Sequence, residues 1–273
     1  MKGGGRREVN QISDVLIPLD VQGSQDWLIV LKHFSTMLNF ESINTTTMQK
    51  VPYHWALIEN LLSKEASLEL TASFPQEEFR LSQGEGYGYS WGKMLASSED
   101  ISLMLKSSDN RWRERMAQGR LTSDLRHLSN IWQKLIEALW TDSYRTAIGE
   151  MCGLDLEDCV MDIGFRRYKL GQLHRPHTDE PNKVLTHLLF FNQQWSVDWG
   201  GYLRILKDSQ PESVFQDILP LSDCSVAIVR SENSWHTVTP LTCPASECRL
   251  ALRVAFFRND RLSSDFGEIQ LAA

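Results

Sequence analysis

The stretch that decides the fold is YKLGQLHRPHTDEPNKVLTHLLFFN, residues 168–192. It joins a polar segment that holds His177 and Asp179 to an apolar run that is typical of a buried strand. In an extended chain, side chains two positions apart point to the same face, so His177 and Asp179 can bind one metal ion while Thr178 points away. The stretch therefore predicts a metal site carried by strands or by their ends.

A third ligand of the predicted metal site comes from His236, further along the chain. Two imidazoles and one carboxylate on one face of a metal, with the other coordination positions open, form the ligand set that suits Fe(II) and dioxygen chemistry. The three residues His177, Asp179 and His236 are thus the predicted metal ligands and the predicted catalytic centre.

Length and composition bound the class of protein. The chain has 273 residues, of which 42% are hydrophobic and 23% charged, as in an ordinary globular protein. No apolar run is long enough to span a membrane, and no apolar stretch follows the basic residues near the start, so we expect a cytoplasmic protein with no membrane partner. A net charge of −7 disfavours a nucleic-acid partner. The five cysteines form no CxxC pair, which predicts free thiols.

The pattern along the chain changes from helical to strand-like near residue 155. We predict an N-terminal arm and docking helix over 1–50 and a single domain over 51–273, with helical support over 51–154 and a β core over 155–260. The docking helix would begin near Ser24, because apolar residues from Trp27 to Leu38 recur at helical spacing.

Three further helices are predicted in the supporting region. One spans about 63–74, the longest begins after Ser123 or Asp124, and another runs towards Gly153. Strands are predicted over 160–169, 183–192, 201–207, 225–230, 236–241 and 249–257, because short runs rich in Val, Ile, Leu and Phe alternate there with turn residues. This is the pattern of an antiparallel barrel or sandwich.

The ordered motifs of this region resemble those of a known family. They are a Tyr and a Gly before HxD, an apolar strand that ends in Asn192, a GG-x-L-R strand, the WHTV run around His236, and Arg249 at the start of the last strand. Together, over residues 160–257, they resemble the Fe(II)/2-oxoglutarate-dependent dioxygenases of the prolyl-4-hydroxylase-like branch. The resemblance implies an α+β fold with a double-stranded β-helix, or jelly-roll, as its core.

The resemblance also implies the cofactors and the chemistry. Fe(II) would be held by the three ligands, 2-oxoglutarate and O2 would be co-substrates, succinate and CO2 would be released, and ascorbate is a candidate reductant. The far carboxylate of 2-oxoglutarate needs a buried cation with a planar fork, which Arg249 offers. Arg253 lies on the same face of the last strand as Arg249. It is therefore the alternative arginine for binding the co-substrate, or else it binds the substrate. Phe190 stands where relatives often have a tyrosine, so Tyr168 or Thr186 is expected to help bind the co-substrate.

The substrate is the least determined part of the prediction. The segment 83–95 combines glycines with Tyr87, Tyr89 and Trp91, which predicts either a mobile lid that contacts the substrate or a plain surface loop. The basic run 111–120 can face an anionic substrate or simply solvent. His174 is expected to point away from the metal, because it stands three residues before His177.

Hydroxylation of a C–H bond in a small molecule or biosynthetic intermediate is the preferred prediction. The alternatives are hydroxylation of a peptidyl or protein residue such as proline, a metal-dependent hydrolase with the same three ligands, and a jelly-roll binding protein without activity. The sequence leaves the oligomeric state open.

Overall fold

The apolar runs of the second half of the chain form the centre of one large sheet. The computed structural model describes residues 37–76 and 79–259. Within these ranges the chain forms twelve strands and six α-helices. All of the described residues belong to one compact unit. Most of the docking helix predicted from Ser24 lies outside the described residues.

The strands have the following bounds, in chain order: β1 Trp55–Glu59, β2 Arg80–Gly84, β3 Tyr87–Leu95, β4 Leu121–Thr122, β5 Val160–Tyr168, β6 His174–His177, β7 Lys183–Phe190, β8 Leu203–Leu206, β9 Val214–Ile218, β10 Cys224–Val229, β11 His236–Val238 and β12 Arg249–Phe257. Their order across the sheet is β1-β10-β7-β12-β5-β3-β6-β11-β8-β9, and β2 and β4 both pair with β3. Every neighbouring pair in that order is antiparallel.

This order confirms the predicted jelly-roll. One row of strands, β10-β7-β12-β5, carries the longest apolar runs, and the row β6-β11-β8-β9 lies beyond β3, which connects the two. The strands predicted over 160–169, 183–192, 225–230 and 249–257 correspond to β5, β7, β10 and β12, whose residues are almost all buried. Buried strands read as continuous apolar runs, which is why the sequence located them well.

The helices are α1 Phe40–Thr45, α2 Lys64–Ala72, α3 Ser98–Lys106, α4 Asn110–Ala117, α5 Asn130–Leu139 and α6 Asp142–Cys152. The amphipathic α5 buries Trp132, whose ring lies 4.9 Å from that of Phe165 on β5 and 4.8 Å from that of Phe191. Helix α6 ends at Gly153, whose φ of 65° gives the left-handed cap that glycine adopts readily. Helices α5 and α6 therefore pack against the face of the sheet that carries Phe165.

A buried polar chain links α6 to the sheet. The Tyr144 hydroxyl lies 2.8 Å from Nδ1 of His187 on β7, and Nε2 of His187 lies 2.9 Å from Oγ of Ser225 on β10. His187 and Tyr144 are fully buried, and Ser225 is 1% exposed. His187 is therefore a core histidine whose two ring nitrogens both have hydrogen-bond partners.

Two predictions about the supporting region are wrong. Segment 83–95 is neither a lid nor a plain surface loop, because it forms most of the β2–β3 hairpin and β3 pairs with the core strand β5. The longest predicted helix begins at Asn130, well after Asp124. The basic run 111–120, for which the sequence left both an anionic substrate and solvent open, is largely helical: it forms most of α4 and buries Trp112. No helix in the described part of the chain is both long and apolar enough to cross a membrane.

Candidate active site

The predicted metal ligands meet where β6 pairs with β11. His177 lies directly opposite His236 in the register of this pair, and their ring centroids are 4.2 Å apart. Asp179 follows two residues after the end of β6. One potential ligand atom from each of the three side chains lies within 4.8 Å of the other two. The structure thus brings together the three residues that the sequence singled out.

Both imidazoles are oriented by backbone carbonyls. Nδ1 of His177 lies 2.9 Å from the Arg175 carbonyl oxygen, and Nδ1 of His236 lies 3.0 Å from the Ser234 carbonyl oxygen. A carbonyl only accepts, so each Nδ1 carries the proton and each Nε2 keeps its lone pair for a metal. Burial, and next the charge of His236, hold the pKa of His177 well below its usual range, which favours the neutral ligand form.

The Asp179 carboxylate is fixed on both of its oxygens. Lys183 Nζ lies 2.5 Å from Oδ1, and the Thr186 hydroxyl donates to Oδ2 at 2.7 Å. Burial alone would raise the pKa of Asp179, but the nearby charges of Lys183 and His236 outweigh it and hold the pKa well below its usual range. The carboxylate is therefore ionised, as a metal ligand must be. Neutral imidazoles and an ionised carboxylate within this span fit Fe(II).

Arg249 is a buried cation that has an unused hydrogen-bond donor. Arg249 is 2% exposed, its Nε donates to the Gly201 carbonyl at 2.8 Å, and its Nη2 is buried without a hydrogen-bond partner in the described part of the chain. The guanidinium carbon lies 5.2 Å from the Tyr168 ring and 5.1 Å from the Phe190 ring. Burial lowers the pKa of Arg249 to about 10, so the guanidinium stays charged at neutral pH. An oriented, desolvated donor of this kind suits a carboxylate ligand.

The two glycines of the GG motif place the carbonyl that holds Arg249. Gly200 and Gly201 have φ values of 61° and 68°, in the left-handed region. A Cβ on Gly200 would lie 2.1 Å from the Pro240 carbonyl oxygen, so no other residue fits this turn without displacing backbone. The motif is thus a structural requirement for the Arg249 pocket.

A cavity of about 460 Å³ contains the metal ligands and most of the other predicted site residues. The site residues predicted beyond the three ligands and found in its lining are Tyr89, Trp91, Tyr168, Thr186, Arg249 and Arg253. Tyr87 is not in the lining, and its ring packs 6.3 Å from that of Tyr89 and 6.0 Å from that of His174. A volume of this size is typical of sites for small ligands.

Arg253 differs from Arg249 because it has an acidic partner. Its Nη2 donates to Oδ1 of Asp162, whose side chain is fully buried. Asp162 lies opposite Ala255 in the β5–β12 register, while Tyr168 lies opposite Arg249. The two arginines of β12 are therefore held by different groups, Arg249 at the start of the strand and Arg253 at its middle.

The sequence prediction for His174 is wrong, and a β-bulge explains why. His236 pairs with His177 and Val238 pairs with His174, so three steps along β6 match two steps along β11. The extra residue turns His174 to the face of His177, and the two ring centroids are 3.8 Å apart. Burial, followed by the charge of His236, lowers the pKa of His174 to about 4, so it lines the cavity as a neutral ring.

The sequence reasoning missed three charged residues of the cavity, Lys183, Arg166 and Asp162. Lys183 could have been suspected from its position four residues after Asp179 at the start of an apolar strand. Arg115 and Arg120 line the cavity as well, and both belong to the basic run 111–120, for which an anionic substrate and solvent were the two alternatives. These two arginines lie far from the HxD motif in the chain, and a second bulge, between Trp91 and Met94 of β3, contributes to this wall.

Comparison with known proteins identifies the core. Residues 163–257 match the sequence model of the 2OG-Fe(II) oxygenase superfamily, a segment that includes the three candidate metal ligands and Arg249. This segment is a 2OG-Fe(II) oxygenase domain. The segment resembles the prolyl-4-hydroxylase-like branch, which supports dioxygenase activity, and its superfamily uses Fe(II), 2-oxoglutarate and O2.

Solved structures agree on the fold of this oxygenase. A Pseudomonas putida prolyl-4-hydroxylase superposes with a TM-score of 0.51 and 19% identity, over 80% of this chain and 97% of that one. A Trichoplax adhaerens prolyl hydroxylase superposes with a TM-score of 0.51 and 16% identity, over 90% of this chain and 99% of that one. That structure is described in complex with a peptide fragment of the hypoxia inducible factor oxygen degradation domain. No curated protein matches the sequence. At these identities the structures establish the fold and not the substrate.

Proposed function

We propose that this oxygenase hydroxylates an unactivated C–H bond of a small molecule or biosynthetic intermediate and releases succinate and CO2. The observation that carries the proposal is the pairing, in one cavity, of the His177, Asp179 and His236 cluster with Arg249, whose buried Nη2 has no hydrogen-bond partner. A metal-dependent hydrolase would have no use for such an arginine. An inactive binding protein would not need the three ligands.

Each side chain has a proposed role. His177, Asp179 and His236 hold Fe(II), which when bound with 2-oxoglutarate and O2 supplies the oxidising power. Lys183 and Thr186 keep the Asp179 carboxylate ionised and oriented through the two contacts at its oxygens.

The remaining roles concern the co-substrate and the substrate. Arg249 binds the far carboxylate of 2-oxoglutarate. Tyr168 contributes through its ring, which packs against the Arg249 guanidinium. Arg253, Tyr89 and Trp91 face the substrate, and Tyr87 supports Tyr89 from outside the cavity lining.

A peptidyl substrate is the second candidate. It is favoured by the Trichoplax adhaerens neighbour, which is described in complex with a peptide. The size of the cavity supports the first candidate, because about 460 Å³ accommodates a small molecule more readily than a peptide chain.

Succinate release, measured over pools of amino acids, metabolites and short peptides, tests the proposal. We expect a small molecule to stimulate succinate release above the substrate-free rate, and we expect the His177→Ala variant to show none. Stimulation by peptides alone would favour the second candidate. Absence of succinate from every pool, together with 2-oxoglutarate that fails to bind, would contradict the oxygenase assignment.

A further inference from the structure

Four arginines line the cavity in addition to Arg249. Arg115 comes from α4, Arg120 from the turn that follows α4, Arg166 from β5 and Arg253 from β12. Three separate parts of the chain therefore place guanidinium groups in the lining of this cavity. The described residues contribute fewer carboxylates than arginines to the same lining.

Asp162 is the one carboxylate shared by two of these arginines. Its Oδ1 accepts from Arg253, whereas its Oδ2 lies 3.9 Å from Nη1 of Arg115, too far for a hydrogen bond. Three atoms of this group are buried without a hydrogen-bond partner among residues 37–76 and 79–259: Oδ2 of Asp162, Nη1 of Arg115 and Nε of Arg253. A single carboxylate cannot neutralise two guanidinium groups, so one positive charge remains.

Arg166 and Arg120 add two more positive charges. Arg166 Nη1 donates to the Phe165 carbonyl at 3.1 Å, and its guanidinium lies 5.4 Å from the Tyr89 ring. Arg120 packs 5.7 Å from the Trp91 ring, and its Nε is buried without a hydrogen-bond partner. Within residues 37–76 and 79–259, neither arginine forms a salt bridge with a carboxylate.

The backbone makes room for this arrangement. Gly164 lies opposite Arg253 in the β5–β12 register, and a Cβ on Gly164 would lie 2.9 Å from Nη1 of Arg166. The Arg166 guanidinium therefore lies back over Gly164, beside Arg253. Burial, and then the charge of Arg253, lower the pKa of Arg166 to about 10, which still leaves it charged at neutral pH.

Guanidinium groups held together without enough counter-charge are costly unless a ligand supplies the charge. Their planar forks match the oxygens of a carboxylate or phosphate group. The two other acids in the lining do not offset them, because Asp179 is held by Lys183 and Thr186 and Glu180 pairs with Arg111.

We infer that the substrate carries a carboxylate or phosphate group, which Arg166 and Arg253 bind with help from Arg115 and Arg120. The inference rests on the proposed function, in that this cavity is taken as the place where substrate meets the metal. It assigns an anionic group to the substrate, separate from the 2-oxoglutarate carboxylate at Arg249. A neutral prolyl peptide would leave these charges without a partner.

Inorganic sulfate is a suitable probe, because it presents the same charged oxygens. Its binding to the full chain with Fe(II) and 2-oxoglutarate, without oxygen, can be measured by calorimetry at constant ionic strength. We expect saturable binding that weakens about tenfold or more in Arg166→Gln, as for loss of a charge-assisted hydrogen bond, and that Arg166→Lys partly restores. Arg126→Gln, a change at an arginine whose side chain is 90% exposed, is the matched control and should bind as the wild type does.

Two outcomes would overturn the inference. One is the absence of saturable sulfate binding to the wild type, and the other is equal binding to the wild type and to Arg166→Gln. If Arg166→Gln does not fold, Arg120→Gln carries the same expectation, because Arg120 lies in a turn outside the core strands.

Turnover with paired substrates gives a second readout. Carboxylic acids should stimulate succinate release, whereas their primary amides should not.

If sulfate binds but 2-oxoglutarate does not, the proposed function fails and the anion site remains. If 2-oxoglutarate binds but sulfate does not, the anion site alone is refuted.

Discussion

Replacing Arg249 with glutamine should separate 2-oxoglutarate binding from folding. Arg249 is 2% exposed, and among the described residues its guanidinium is held by the Gly201 carbonyl and two aromatic rings. Removing one partner of a buried ion pair costs about 3–5 kcal/mol, which corresponds to a loss of 2-oxoglutarate affinity of roughly 100-fold to 1,000-fold or more. Without 2-oxoglutarate the charge has no acidic partner to lose, so the free energy of unfolding should fall by only about 1 kcal/mol, the value of one hydrogen bond.

The comparison with Arg253→Gln makes this prediction specific. Arg253 is paired with the fully buried Asp162, so its loss should lower the free energy of unfolding by about 3–5 kcal/mol while 2-oxoglutarate affinity stays within a few-fold of wild type. Anaerobic calorimetric titration with 2-oxoglutarate and urea unfolding without it measure the two quantities. Arg249 does not bind the co-substrate if Arg249→Gln binds 2-oxoglutarate as the wild type does, or if Arg253→Gln shows the larger loss of affinity.

Two further predictions concern the fold. Gly200→Ala should lower the free energy of unfolding and weaken 2-oxoglutarate binding together, because its Cβ would lie 2.1 Å from the Pro240 carbonyl oxygen in a turn with positive φ; a variant as stable as wild type in urea would contradict this. Burial lowers the pKa of His187 from 6.5 to about 3, so below pH 6.5 the unfolded chain takes up a proton that the folded chain does not. The free energy of unfolding should therefore decrease as the pH is lowered from 6.5 to about 3, by up to about 1.4 kcal/mol per pH unit. In urea unfolding, His187→Gln should show a smaller decrease over the same range. Equal slopes for the variant and the wild type would show that His187 is not the group responsible.

The sequence was most informative where one local rule governs the structure. His177 and Asp179 stand two apart on an extended chain, so their shared face follows from strand geometry, and Arg249 begins a strand that reads as buried. The strands β5, β7, β10 and β12 were located because buried strands are continuous apolar runs.

The sequence failed where tertiary contacts override the local pattern. His174 lines the cavity because a bulge in β6 adds one residue, and no local signal marks it. Tyr89 and Trp91 lie on a strand because β5 supplies the pairing partner, whereas their glycine-rich setting indicated a loop. Arg115 is brought to Asp162 by the packing of α4, which its position in the chain does not reveal.

We propose that His177, Asp179 and His236 bind Fe(II) beside a 2-oxoglutarate site. The most direct test is the absorption spectrum after anaerobic addition of Fe(II) and 2-oxoglutarate to the full chain. We predict a weak metal-to-ligand band near the visible range, which disappears in His177→Ala. Tight binding of zinc, with no band and no binding of 2-oxoglutarate, would contradict the claim.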